Sequence, residues 1–205
     1  MPELPDIEIF KNYVDSTSLH QEIDEITVND EKIMEISTKK VRKRLKNTTL
    51  ESTERKGKYL FCKTGKNEWL VFHFGMTGKL NYAKDIEPPK HAHFQLHFKN
   101  GYSLYFINTR KLGRVNMTGT IADFSSEKQL GEDALSISKE DFIDFLTNRK
   151  GNLKNALTDQ KNIAGIGNIY ADEILFQAKW HPKACPANLS EKDLDSLYQI
   201  MREVL

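Results

Sequence analysis

Pro2 and Glu3 are the first residues of this chain whose types could carry out covalent chemistry. With Met1 removed, Pro2 exposes a secondary α-amine, a class of group that titrates near about 8 and is partly unprotonated at neutral pH. Attack of such an amine on a sugar C1′ gives a permanently cationic iminium. That electron sink favours loss of a C2′ proton and then of the 3′-phosphate. Glu3, next to it, is placed to act as a general acid or base on the ring oxygen. A Pro-Glu start also serves merely to direct processing of the first residue, so the pair alone leaves both readings open.

Two further groups of residues carry chemistry. In AGIGNIYADEIL (164–175), Gly165, Gly167 and Asn168 lie between two helical patterns with no strand before them, so a dinucleotide fingerprint fails on context. A helix–hairpin–helix fits better: the glycines allow close backbone approach, and the helix starting near Asn168 would aim free amides at a phosphate. An ordinary glycine-containing helix connection is the other reading. HFGMTG (73–78), KHAH (90–93) and NTRKLG (108–113) place His73, Met76, His91, His93, Arg110 and Leu112 in loops or strand ends. An enzyme that extracts a base must fill the vacated stack, and an apolar wedge and an arginine are the usual plugs. Met76, Arg110 and Leu112 are the right types, although each alone also suits a core or surface position.

The elements that must hold these residues fall into two sets. Apolar positions Ile7, Ile9, Phe10, Val14 and Leu19 predict one helix after Pro5. Between about 21 and 117 the period shortens to two or to brief apolar runs in EITVND, TTLEST, KYLFCKT, EWLVFHF, AHFQLHF, YSLYFIN and RVNM. Seven or so short strands imply a sandwich or barrel, with helical spacing competing over 31–46. After about 120, SKEDFIDFLTNR, NLKNALTD, GNIYADEILFQAK and SEKDLDSLYQIMREVL read as helices, with serine caps at Ser138 and Ser190. The stripe Leu194, Leu197, Ile200, Met201, Val204 runs to the last residue without a stop signal, which predicts a chain that continues naturally or a fragment.

The net charge of +1 over 205 residues hides two blocks. Residues 1–37 hold ten acids against Lys11 and Lys32; residues 39–58 hold nine bases against Glu51 and Glu54. The basic block reads either as a phosphate-binding field or as a solvated helix face. No apolar run approaches a membrane span, the acidic N-terminus does not resemble an export signal, and a cytoplasmic location is expected. Cys62 and Cys185, far apart, read as buried reduced thiols rather than a disulfide or a metal knuckle.

Taken together, PELPD, RKGKYL (55–60), HFGMTG, PPKHAH (88–93), NTRKLG and DQKNIAGIGNIYADEILF (159–176) resemble the formamidopyrimidine-DNA glycosylase and endonuclease VIII family of base-excision-repair enzymes over essentially the whole chain. The resemblance implies an α+β fold. A catalytic β-sandwich with an N-terminal helix (1–120) leads through a linker (121–136) to an all-helical DNA-binding domain with a helix–two-turns–helix motif (137–205). It makes Pro2 the Schiff-base nucleophile, Glu3 the general acid for sugar opening and Lys58 the proton donor in β-elimination. His91, Arg110 and Lys150 match DNA-contacting residues, His73, Lys154 and Asn168 touch phosphates, and Met76 and Arg110 enter the duplex. The leucine of PELPD favours the formamidopyrimidine branch, which acts on oxidised purines.

There are departures from that pattern. Asp6 replaces a glutamate, Asn108-Thr109 stands where Asp-Pro is common, Lys111 where an arginine is common, and Leu112 where the purine branch has a phenylalanine wedge. The family's four-cysteine zinc finger, which normally follows the last helix, is missing from these residues, so zinc is expected only if a longer parent chain carries the finger. No other metal or cofactor is implied. The expected partner is duplex DNA with oxidised bases or abasic sites, bound by a monomer. The rival readings are a damaged-DNA-binding module or fragment without efficient chemistry, and an RNA partner using the hairpin segment alone.

Overall fold

The computed structural model describes all 205 residues and divides into two units: Met1–Pro2 with Asp6–Phe124, and Glu3–Pro5 with Ser125–Leu205. Helix α1 spans Leu4–Thr17. Pro5 lies in its first turn, where a missing N–H costs nothing, and Ile7 and Val14 are fully buried on one face of it.

The first unit continues with β1 (Ile23–Val28), a 3-10 turn (Glu31–Ile33), α2 (Thr38–Leu45), β2 (Leu50–Lys56), β3 (Tyr59–Thr64), β4 (Trp69–His73), β5 (Gly78–Lys84), β6 (Ala92–Phe98), β7 (Tyr102–Asn108) and β8 (Arg114–Thr118). They form two antiparallel four-stranded sheets, ordered β1-β6-β7-β5 and β2-β3-β4-β8. The helical spacing read over 31–46 resolves into the short turn and α2, which Ser37 caps through the amide of Lys40. Alternating residues such as Leu60, Cys62, Leu70 and Phe72 from one sheet and Phe94, Leu96, Leu104 and Phe106 from the other fill a single core, as the two inner faces of a sandwich do. Cys62 lies in that core, where burial pushes its thiol pKa up; Cys185, expected to be buried, is partly exposed.

Strand β5 escaped the sequence reading because only Gly78 in it is buried, so no apolar run or clean alternation marks it. The stretch 121–136, expected as a linker, is not an open connection. It contains α3 (Ile121–Glu127) and a short strand, β9 (Glu132–Asp133). Phe124 is 1% exposed and packs edge-on against Tyr59 and Phe61 on the outer face of the second sheet. Two apolar anchors, Ile121 and Phe124, are too few to show as a periodic pattern.

In the second unit follow α4 (Lys139–Thr147), α5 (Leu153–Leu157), β10 (Ile163–Ala164), α6 (Asn168–Gln177) and α7 (Glu191–Val204). It is not wholly helical: β9 and β10 pair in parallel over two residues. Ser138 accepts the amide of Asp141, and Ser190 and Asp193 form a reciprocal capping box. The core draws on every helix from α4 to α7 and includes Leu4. If the Phe124 ring fastens α3 to the sheet, Phe124→Ala should cost about 3–5 kcal/mol in urea unfolding. An unchanged midpoint would show that the ring contributes nothing.

Candidate functional site

In the first unit, one end of the sandwich collects most of the residues singled out by type. Lys56 pairs with Tyr59 across a two-residue hairpin, Gly57-Lys58, and Gly57 at its first position has φ 56°, as a tight hairpin of this kind requires. Lys58 is only 7% exposed, unusual for a lysine. Arg55 holds the hairpin, donating to the Gly57 carbonyl (3.3 Å) and to Glu8 of α1 (3.0 Å). His73 stands opposite Tyr59 and Arg114 at the same sheet end, its ring centroid 4.9 Å from that of Tyr59, and its Nδ1 accepts the Gly75 amide (3.4 Å).

The other sheet ends at the same place, with Gly78 opposite Asn108 and Ala92 opposite Ile107. Hence Met76 between β4 and β5, His91 before β6, and Arg110 and Leu112 between β7 and β8 join Lys58 and His73. Met76 and Leu112 are each 44% exposed, which suits a wedge and rules out the core alternative for both. Lys111 turns back to pair with Asp30 (2.6 Å), and that pairing holds the Asp30 carboxyl below the ordinary carboxylate range.

The residue that sequence reasoning missed is Asn108, fully buried and central to these loops. Its Nδ2 donates to the Phe74 carbonyl (2.9 Å), its Oδ1 accepts the Leu112 amide (3.0 Å), and its own amide donates to the His91 carbonyl (3.0 Å). One side chain and its backbone thus tie together the loops bearing Met76, His91 and Leu112. Gly75, with φ 59°, completes the arrangement, because a Cβ there would collide with the Leu112 backbone. His93, also nearly buried, has no partner on Nε2; burial, and then the Lys111 charge, lower its pKa.

In the second unit the functional side chains are arranged around Glu3. This carboxylate is 1% exposed and accepts the amides of Gly167 (2.7 Å), Ile169 (3.0 Å) and Tyr170 (3.2 Å). The amides at the start of α6 that the sequence offered to a phosphate are therefore occupied, and the anion at this helix N-terminus is the protein's own side chain. Gly167 is required because a Cβ would overlap the Glu3 carboxylate. The Leu4 amide donates to the Gly165 carbonyl (3.1 Å), and Gln160 bridges the Gly165 amide and the Ile166 carbonyl, ordering the two turns between α5 and α6. Asn168, the first residue of α6, is exposed, as is Lys150 in the turn after α4. Lys154 is held by Asp172 (2.7 Å), one helical turn beyond Asn168 on α6.

The zinc that the resemblance attaches to a finger does not fit these residues. Cys62 and Cys185 belong to different units, and no three His, Cys, Asp or Glu side chains come together as a donor set.

Removing the Glu3 carboxylate leaves three buried or half-buried amides without their acceptor. Glu3→Ala should lower stability by about 2–4 kcal/mol, and Gly167→Ala should do comparable damage; urea unfolding of both variants is the check. His93 gives a pH dependence of known sign. Its folded-state pKa lies below the unfolded one, so its neutral form supports the fold above about pH 6.5, and that support is lost as pH falls through the lowered folded-state value. His93→Phe should flatten the melting-temperature profile between about pH 7 and pH 5.

Comparison with known proteins agrees with this geometry along the whole chain. Residues 1–115 match the formamidopyrimidine-DNA glycosylase N-terminal domain, and residues 130–205 match the formamidopyrimidine-DNA glycosylase H2TH domain. The chain is 34% identical over 211 residues to the formamidopyrimidine-DNA glycosylase of Desulfitobacterium hafniense and 32% over 212 residues to that of Wolbachia pipientis, covering all of this chain and 77% of each relative. Among solved structures, a complex of Lactococcus lactis Fpg with abasic-site DNA superposes with a TM-score of 0.93 at 27% identity, over 98% of this chain and 76% of that one. A complex of the same protein with DNA containing a formamidopyrimidine lesion also gives 0.93. With both domains of the family matched along one chain and relatives more than 30% identical over its whole length, this protein belongs to the formamidopyrimidine-DNA glycosylase family.

Proposed function

We propose that this chain is a base-excision-repair DNA glycosylase with AP lyase activity that removes oxidised purines through an imine at Pro2. The observation that carries the reading is the loop cluster at one end of the sandwich. There a buried lysine, Lys58, lies among loops that present two exposed apolar side chains and an arginine, the set an enzyme needs to open a stack and work on an extruded nucleotide.

The reaction runs on the chain's own groups. The Pro2 nitrogen attacks C1′; the C1′–N bond to the base breaks, its electron pair leaving with the base, which takes up a proton. Glu3, one peptide bond away, enters as the carboxylate: it takes the proton that the Pro2 nitrogen gives up and passes it to the ring oxygen as the C1′–O4′ bond breaks, which leaves the iminium. The resulting iminium acidifies C2′; loss of that proton sends electrons through C2′–C3′ and expels the 3′-phosphate with its electron pair. The C2′ proton goes to water, Lys58 donates a proton to the departing 3′-phosphate, and water then hydrolyses the iminium and restores the amine. Met76, Leu112 and Arg110 fill the gap in the stack, while His91 holds the flanking backbone. Lys150, Lys154, Asn168 and His73 take phosphates, and DNA must displace Asp172 from Lys154 to engage it.

Borohydride trapping on an abasic duplex tests the central step, using protein whose mass shows Met1 removed. A covalent adduct is expected, weakened in Pro2→Gly, which keeps only a primary amine; undiminished trapping in that variant would remove Pro2 from the role. Glu3→Gln should impair base release far more than cleavage of a ready-made abasic site, and equal losses would assign Glu3 to another task. Asp172→Asn frees Lys154 and should tighten binding to all duplexes alike, while Lys154→Ala should reduce the salt slope by about one unit.

A further inference from the structure

The basic block 39–58 does not form one patch: the structure splits it between opposite ends of the sandwich. Arg55, Lys56 and Lys58 belong to the loop cluster. Residues 39–46 lie on and after α2, whose C-terminal carbonyls at Lys43, Arg44 and Lys46 accept from Lys66 in the turn between β3 and β4. Strand β3 runs from Tyr59 at the loop-cluster end to Thr64 at the α2 end, a distance of about 17 Å. The lysines of α2 are therefore outside the site described above.

On α2, Val41 and Leu45 face inward and are fully buried, while Lys39, Lys40 and Lys43 are exposed. The flanks are satisfied: Arg44 pairs with Glu68 (3.3 Å), and Arg42 donates to the Ile26 carbonyl (3.1 Å) beside Asp24 and Glu25. The central lysines have no such partner, and their arrangement works against the helix. Lys39 and Lys40 sit in a first turn that contains no acid, against the helix dipole, and Lys39–Lys43 and Lys40–Arg44 are like-charge pairs at i,i+4. Folding gains nothing from this placement; an external polyanion would relieve it.

We propose that α2 is a second phosphate-binding ridge, which holds the backbone of a nucleic-acid duplex at the end of the sandwich away from the loop cluster. The ridge exposes no apolar residue between its lysines, so it lacks both the anchors of a protein interface and the apolar face that enters a membrane surface. The eight-residue helix is about 12 Å long, the axial run of three or four phosphates on one strand at about 3.4 Å each. With the loop cluster engaged on one duplex, the ridge takes a second, without sequence preference, and the protein bridges the two.

The test does not need lesion chemistry. Undamaged duplexes labelled with donor or acceptor dyes are mixed with the full chain at low salt, and energy transfer reports bridging. Wild-type protein should give transfer. Lys39→Gln/Lys40→Gln/Lys43→Gln should abolish it, leave one duplex bound, and lower the salt slope of total duplex binding by about 2.7 units for three lost contacts. The same variant should trap abasic DNA as wild type does, and its melting temperature at low salt should stay level or rise, which separates loss of the ridge from misfolding. Absence of transfer with wild type, or undiminished transfer with the folded variant, would overturn the proposal.

Discussion

The carboxylate of Glu3 at the start of α6 is the interaction on which the architecture of the second unit turns. A helix N-terminus leaves backbone donors without partners, and here three donors between Gly167 and Tyr170 converge on one buried side chain more than 160 residues earlier in the chain. The contact explains a glycine at 167, and Leu4 adds its amide and its apolar side chain to the same unit. Since Pro2 is joined to Glu3 by a peptide bond, the residue proposed as nucleophile is tethered to one of the most firmly held groups in the protein.

Asn108 plays the corresponding part in the first unit. The loops bearing Met76, His91 and Leu112 come from strands of both sheets, and nothing in their own sequences would hold them together. A buried amide group that donates to one loop and accepts from another fixes their mutual spacing, while the Met76 and Leu112 side chains stay exposed. This division of labour, rigid support below and free side chains above, suits the insertion into a stacked duplex proposed for these loops.

Much of this was legible in the sequence where the signal is local. Period-two runs marked seven of the eight sandwich strands, and the serine caps at Ser138 and Ser190 marked two helix starts. The loop residues were identifiable by type. What failed to show was whatever depends on distant partners. Strand β5 is half exposed on its length, and α3 has only Ile121 and Phe124 to identify it. The amides of α6 looked available to a phosphate because nothing near residue 168 reveals that Glu3 occupies them. Asn108 looked like a departure from a family pattern rather than a support, since its partners at 74, 91 and 112 are set by sheet register. The basic block read as one field because charge counted along a chain ignores that a strand carries its two ends about 17 Å apart.

Amide hydrogen exchange followed by NMR tests the role of Glu3 most directly. The account predicts strong protection of the Gly167, Ile169 and Tyr170 amides in the wild-type protein, lost selectively at those three positions in Glu3→Ala while amides of the sandwich core keep theirs. Equal protection of the three amides in both proteins would contradict it, and would mean that α6 is held by something other than the carboxylate beside Pro2.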